Sequence, residues 1–274
     1  MIQKYSGAGN KFIIINNLKD NYTQYKTKVL ELTSEEDNKD ADGVIFVEKS
    51  SVSDFKMNYF NKDGTGDALC GNGLRCTMKY LNDNFITDKD ELKIEAVDKV
   101  YYCKKSVDGQ ISVLFPPPSI VKTNFKLKVH FQEWWELLNC SYVECGSPHI
   151  VIFIDEIEKP KINNLEEVNI TEWGRNIRMH KDLMPEGANV NFVKVISNEK
   201  NEIEIRSFER GVEGETLACG TGAISSALIF YMLRSQFNPV KVLTRSGEYL
   251  TVEFGIKEKK LLGINLSGNA ERYK

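Results

Sequence analysis

The stretch Glu209-Arg210-Gly211-Val212-Glu213-Gly214-Glu215-Thr216-Leu217-Ala218-Cys219-Gly220-Thr221-Gly222 runs out of a strand-like segment and into a helix, with a cysteine at the junction. Gly211, Gly214 and Gly220 permit tight turns and close backbone approach. Ile224, Ala227, Leu228, Tyr231 and Met232 then keep the i, i+3, i+4, i+7, i+8 spacing of an amphipathic helix. That spacing predicts Cys219 at a helix N-terminus. Backbone N–H groups from Gly220 and Thr221 onward lack helical partners there, so they bind a carboxylate and favour thiolate over thiol.

The same device occurs earlier as Leu69-Cys70-Gly71-Asn72-Gly73, followed by Leu74, Met78, Leu81 and Phe85 at helical spacing. Both copies follow a strand ending in phenylalanine, Phe60 or Phe208, with the cysteine ten residues later in one and eleven in the other. A single Cys-Gly-X-Gly most often holds a small apolar filler. Two copies, each opening a helix after a polar glycine-rich turn, predict a duplicated half-protein with one functional cysteine per half.

At 274 residues the chain suits two domains of ordinary size. Pro116-Pro117-Pro118 forms a stiff extended connection that continues neither sheet nor helix, and it predicts the boundary. The expected halves are residues 1–115, with 263–274 returning to them, and residues 116–262. A net charge of −3 with both signs interspersed gives no reason to expect nucleic acid or an anionic membrane. The start, Met1-Ile2-Gln3-Lys4-Tyr5-Ser6-Gly7, lacks a signal-peptide apolar core, and no run of 18 apolar residues occurs, so a cytoplasmic protein is expected. The six cysteines are expected to stay reduced, and three histidines without Cys-X-X-Cys or His-X-X-X-His spacing offer no metal site.

Further elements follow from local patterns. Ser6-Gly7-Ala8-Gly9-Asn10 is a glycine-rich loop before the apolar run Ile13-Ile14-Ile15, a buried strand. Tyr25, Val29, Leu30 and Leu32 hint at a helix, and Phe55, Met57 and Tyr59 alternate as a half-buried strand that delivers Asn61 to the first cysteine motif. Gly146-Ser147-Pro148-His149 precedes the strand Ile150 to Ile154, with the His149 ring expected to point into a cleft. Residues 170–179 read as a helix, and the Trp134-Trp135 pair and Cys145 read as packing. His180 is expected at the surface.

The two cysteine motifs resemble the diaminopimelate epimerase family, and the resemblance runs in order along the whole chain, through the loops at Asn10, Asn61, His149, Asn189 and Glu209-Arg210. It implies an α+β fold of two pseudo-symmetric domains, each a mixed sheet wrapped around a central helix, with the active site in the cleft between them. It also implies Cys70 and Cys219 as the acid–base pair, with His149 poising Cys70 and Glu209 poising Cys219. Substrate contacts carried over are Asn10, Asn61, Gly71, Asn72, Ser147, Asn189, Arg210, Gly220 and Thr221. The family has an acidic residue where this chain has Lys11, and its turn reads Gly-Asn-Pro-His where this chain has Ser147.

The chemistry matches two thiols. An α-hydrogen is a very weak acid, so inverting that carbon needs a base on one face and an acid of similar pKa on the other. The resemblance implies an isomerase that interconverts LL- and meso-diaminopimelate on the way to lysine and peptidoglycan, without pyridoxal phosphate or a metal. The expected partner is a small amino-acid substrate, and a homodimer is allowed. The alternative is the same chemistry on glutamate, histidine or hydroxyproline. Arg210, with Asn61 and Asn189, discriminates, because a guanidinium holds a distal carboxylate bidentately. A non-catalytic binding or redox-sensing protein is the reading of a different class.

Overall fold

The computed structural model of the chain describes residues 2–66, 69–131 and 134–273. Two compact units result, one of residues 1–115 with 265–274 and one of residues 116–264.

The first unit begins with a hairpin of β1 (Ile2–Gly7) and β2 (Asn10–Asn16), in which Gly7 faces Asn10. Ala8 and Gly9 both have positive φ, 52° and 86°, the two-residue turn whose twist matches that of antiparallel strands. Asn10 is thereby fixed at the mouth of a strand whose residues Phe12 to Ile15 are wholly buried. α1 (Tyr25–Ser34) carries the chain to β3 (Gly43–Glu48), parallel to β2, and β4 (Phe55–Asn61) returns antiparallel. α2 (Gly71–Asp83) then crosses to β5 (Glu91–Ala96), parallel to β4, and β6 (Lys99–Lys105) and β7 (Ile111–Phe115) continue antiparallel.

The second unit opens with β8 (Ile120–His130) and β9 (Trp135–Glu144), antiparallel to one another. β10 (Pro148–Phe153) pairs antiparallel with β9 and parallel with β11 (Asn189–Ser197), the crossover containing α3 (Ile170–Arg178). β12 (Glu202–Glu209) is antiparallel to β11 and carries the short β13 (Gly214–Thr216). α4 (Gly220–Phe230) crosses to β14 (Val240–Leu243), parallel to β12, and β15 (Tyr249–Lys257) pairs antiparallel with β14. β16 (Lys260–Gly268) follows, and β17 (Glu271–Tyr273) pairs with β1 in the first unit.

The pairings repeat. Antiparallel β1/β2, parallel β2/β3, antiparallel β3/β4, parallel β4/β5 and antiparallel β5/β6 match, in order, β9/β10, β10/β11, β11/β12, β12/β14 and β14/β15. Parallel neighbours need a long crossover, usually helical. Each unit has a helix-bearing crossover ahead of its second strand of the parallel pair, and each places a cysteine-capped helix in its second crossover.

Both of those helices are enclosed. α4 is mostly apolar, with Thr221, Ser225 and Ser226 its only hydroxyl side chains, and every residue from Gly222 to Phe230 is buried. In α2 the residues Gly71 to Met78 are all buried, and Gly71 allows close contact because a Cβ there would lie 3.1 Å from the Phe115 ring. Truncating a wholly buried residue such as Ile224 to alanine would cost ~2–5 kcal/mol through lost burial and the residual cavity.

Several local expectations are corrected. Phe85 lies beyond α2, 93 % exposed and at φ 54°, because the chain reverses after Asp83. The helical spacing that includes Tyr231 and Met232 passes from α4 into a π turn over Tyr231–Ser235, closed by Gln236 N–H to Tyr231 O at 3.0 Å. Only Trp134 of the tryptophan pair packs on the core, against Phe131; Trp135 is 60 % exposed beneath the Lys128 ammonium. The His180 side chain is largely covered, since its ring caps a turn through Asp182 N–H and reaches the Lys128 carbonyl at 3.1 Å.

Candidate active site

In the first unit Cys70 sits with extended backbone, φ −127°, directly before α2, and its Sγ accepts the Gly73 N–H at 3.3 Å. A thiol thus does the work a serine or aspartate does at most helix starts. Gly73 is tightly enclosed, since a Cβ there would fall 3.2–3.4 Å from Ile45, Met57 and Cys70 itself. Beside the thiol a polar chain links the expected substrate residues. The wholly buried Arg75 donates to Asn72 Oδ1 at 2.8 Å, Asn72 donates to Asn10 Oδ1, and Asn10 donates to Asp42 at 3.2 Å. Asp42 also accepts the Lys11 N–H at 2.8 Å, while the Lys11 ammonium turns to Asp40. Asn61 lies apart from this chain, its amide held by Tyr59 Oη at 2.8 Å and Thr65 Oγ1 at 3.0 Å.

In the second unit Cys219 repeats the arrangement. It precedes α4 at φ −114°, and its Sγ accepts the Gly222 N–H at 3.3 Å. Thr221 Oγ1 lies 3.6 Å from the sulfur. Gly222 is required by close approach, because a Cβ there would meet Asn191 Oδ1 at 2.4 Å and Cys219 at 3.1 Å. Gly211 is required by its φ of 89°. Gly214 has neither demand.

His149, Ser147, Asn189, Asn191 and Thr221 form one cluster in this unit. Ser147 Oγ lies 2.9 Å from His149 Nε2 and 3.3 Å from Thr221 Oγ1. Asn191 Nδ2 lies 3.1 Å from His149 Nδ1. Asn189 donates to the Pro148 carbonyl at 3.1 Å and accepts the Arg210 N–H at 2.8 Å, so it ties the histidine turn to the strand end that carries Glu209. Glu209 accepts a hydrogen bond from Thr216. The Arg210 side chain reaches the Glu186 carbonyl at 3.2 Å and lines a cavity of about 810 Å³ with Tyr142, Glu144, Pro148 and Gly187.

Electrostatics revises one expectation. The helix N-terminus does favour a Cys219 thiolate, through the Gly222 N–H and the Thr221 hydroxyl. Burial outweighs both, and with the Glu209 carboxylate and Cys145 nearby it pushes Cys219 well above the ordinary thiol value. Cys219 therefore rests as a neutral thiol. His149 is also neutral at physiological pH, since complete burial and the Arg210 charge pull it down to about 3. Cys145, read as packing, is buried against α4, with its sulfur 3.2 Å from Ser225 Oγ, and burial pushes it up to about 12.

Sequence reasoning passed over Arg75, Asp42, Asn191 and Ser207. Of these, Ser207 alone carries a usable signal, since it falls on the same face of its strand as Ile203 and Ile205. Among the described residues no three His, Cys, Asp or Glu side chains converge as metal ligands, and no helix is long and apolar enough to cross a membrane.

The sequence profile of the family described as diaminopimelate epimerase matches residues 2–113 and 141–272. A protein of Chlorobaculum tepidum named diaminopimelate epimerase is 35% identical over 251 residues, covering 91% of each chain. One of Aquifex aeolicus with the same name is 33% identical, covering 95% of this chain and 92% of its own. Among solved structures, a PhzF-family phenazine biosynthesis protein of Bacillus anthracis superposes with a TM-score of 0.73 at 16% identity, over 100% of this chain and 96% of that one. A hydroxyproline epimerase of Agrobacterium vitis gives 0.67 at 12% identity, over 99% and 88%. These likenesses establish the α+β fold with two pseudo-symmetric domains. With a profile match on both sides of the triple proline and relatives aligned across nine-tenths of its length, the chain belongs to the diaminopimelate epimerase family.

Proposed function

We propose that this chain interconverts LL- and meso-2,6-diaminopimelate by two-base proton transfer at one α-carbon, with Cys70 and Cys219 as the acid–base pair. The observation that supports it most is the repetition itself: two units with matching strand pairings each cap a buried helix with a thiol. The two halves act as functional halves, one thiol from each.

In one direction the Cys70 thiolate takes the α-proton. The Cα–H electron pair moves toward the substrate carboxylate, which gains enolate character, and the Cys219 thiol returns a proton to the opposite face. Burial and Glu209 keep Cys219 protonated at rest, as that role requires. That turnover leaves Cys70 as the thiol and Cys219 as the thiolate, so in the other direction Cys219 takes the α-proton and Cys70 returns one, with Glu209 beside Cys219 poising that thiol. His149 acts as a neutral hydrogen-bonding group. Backbone N–H groups at Gly71, Asn72, Gly220 and Thr221 meet the charge that develops on the carboxylate, where preorganised donors contribute most. Asn10, Asn61, Asn72, Ser147 and Asn189 orient the rest of the substrate. The Arg210 guanidinium holds the distal carboxylate.

This reading implies a cytoplasmic enzyme of lysine and peptidoglycan precursor synthesis, working as a monomer or homodimer on a free amino acid. The test is incubation in D₂O with LL-diaminopimelate and with glutamate, histidine and hydroxyproline. Deuterium at the α-carbon of diaminopimelate alone is expected. Exchange on another amino acid in preference to it would overturn the substrate assignment.

A further inference from the structure

The hydrogen bonds around His149 have only one consistent direction, and they end at Cys219. Asn191 sets the start. Its Oδ1 accepts from Ser207 Oγ at 2.8 Å and its Nδ2 donates to the Ile150 carbonyl at 3.1 Å, so the amide cannot be reversed. The Nδ2 therefore also donates to His149 Nδ1, at 3.1 Å, and that nitrogen carries no proton. A neutral imidazole has one N–H, which must then be on Nε2. It donates to Ser147 Oγ at 2.9 Å.

Asn189 is fixed in the same way, because its Oδ1 accepts the Arg210 N–H and its Nδ2 donates to the Pro148 carbonyl. The remaining reach of that Nδ2 is to Ser147 Oγ at 3.4 Å; toward His149 Nε2, also 3.4 Å away, two donors face each other and make no bond. Ser147 Oγ thus receives two hydrogen bonds, which fills its acceptor capacity. Its own proton is directed to Thr221 Oγ1 at 3.3 Å, and the Thr221 proton to Cys219 Sγ at 3.6 Å.

We propose that Ser147 is a positioning residue which, held by His149 and Asn189, aims the Thr221 hydroxyl at the Cys219 sulfur and so sets the acidity of that thiol. The inference rests on the reading of Cys219 as an acid–base group, but it concerns the thiol before any substrate arrives. A relay of aligned hydroxyls is polarised by each link, and a hydrogen bond to an ionised acceptor is stronger than one to a neutral acceptor. It therefore favours the thiolate, against the burial and the Glu209 charge that favour the thiol. The charged or titratable groups facing Cys219 are Glu209 from the end of β12 and Cys145 from the β9–β10 turn, while Arg210 acts on His149. None is altered by changing Ser147.

The test is the pH dependence of iodoacetamide alkylation at Cys219, followed by peptide mass mapping so that the other thiols do not contribute. Ser147→Ala should shift the Cys219 midpoint upward and slow alkylation near neutral pH roughly three- to tenfold, the worth of one ordinary hydrogen bond. Thr221→Val should slow it at least as much. The double variant should match Thr221→Val alone, because the two hydroxyls act in series, and Ser147→Thr should restore the parent profile. An unshifted Ser147→Ala profile, or additive losses in the double variant, would overturn the relay. If Ser147→Ala does not fold, Thr221→Val against Thr221→Ser reads the last link, and equal rates would overturn it. Epimerisation assayed on Cys219→Ser separately tests the catalytic reading, so the two failures are distinguishable.

Discussion

Replacing Gly222 with alanine sets two opposing effects against each other. A Cβ on Gly222 would lie 2.4 Å from Asn191 Oδ1 and 3.1 Å from both Cβ and Sγ of Cys219. Neither neighbour yields cheaply. The Asn191 amide is held at both ends, by Ser207 and by the Ile150 carbonyl, and Cys219 is the cap of α4. Forcing a methyl group into a packed interior costs ~1–3 kcal/mol. Against this, alanine is favoured over glycine within a helix by about 1 kcal/mol. The expected net is a loss of up to about 2 kcal/mol, which in a chain of this size corresponds to a fall in Tm of up to roughly 8 °C. The thiol moves with the clash, and a misplacement of even part of an ångström should lower kcat by roughly ten- to a hundredfold. Thermal unfolding followed by circular dichroism, together with steady-state epimerisation, measures both. Gly214→Ala is the control, since nothing lies within 4 Å of its Cβ position, and it should stay within about 0.5 kcal/mol of the parent. A Gly222→Ala protein with parental Tm and kcat would refute the close contact among Asn191, Gly222 and Cys219.

Glu209→Gln removes the charge that helps hold Cys219 protonated. Alkylation of Cys219 at neutral pH should therefore accelerate while kcat falls, because the match in acidity between the two thiols is disturbed; a parallel fall in both would count against Glu209 as the group that poises Cys219. His149, neutral down to about pH 3 when folded and protonating near 6.5 when unfolded, makes the unfolded state bind the extra proton between those values. Its contribution is complete above about pH 6.5 and is lost as pH falls, with a slope of at most ~1.4 kcal/mol per pH unit. The stability of His149→Gln should be flatter with pH over that window, and an unchanged slope in denaturant titrations would exclude the assignment. Arg210→Met should lower kcat/KM for diaminopimelate roughly ten- to a hundredfold, the worth of a hydrogen bond to a charged group of ~1.5–3 kcal/mol. Equal losses on a substrate with one carboxylate would show that the Arg210 side chain acts structurally, through the Glu186 carbonyl.

The cysteine-capped helices were legible because capping is local: Cys70 and Cys219 precede glycines at N1 and N3, and the apolar residues that follow bury in both helices. The strand repeat was not legible as pairing, since β4/β5 and β12/β14 join residues separated by a whole crossover, and register across such a gap leaves no local pattern. Phe85 was misplaced because helical spacing carries no stop signal of its own, and the residues after Asp83 contain no glycine or proline to mark the reversal. The thiolate expected at Cys219 shows a different limit. A helix N-terminus is visible in sequence, but the burial that overrides it is a property of the folded interior. Asn191 and Ser207 escaped notice for the same reason. The polar partner that each finds inside is set by the fold, in which both are buried and hold one another behind His149.

The central claim is that each thiol serves one face of the substrate, and stereochemistry tests it most directly. Cys70→Ser and Cys219→Ser, each shown to be folded, would be incubated with LL- and meso-diaminopimelate labelled with tritium at the α-carbons, and release of tritium to water would be followed for each stereoisomer. An alcohol is too weak an acid near neutral pH to exchange roles with a thiolate, so epimerisation should collapse in both variants. The residual tritium release should favour one hand in Cys70→Ser and the opposite hand in Cys219→Ser. Epimerisation near the parent rate in either variant, or the same preferred hand in both, would contradict the two-base account.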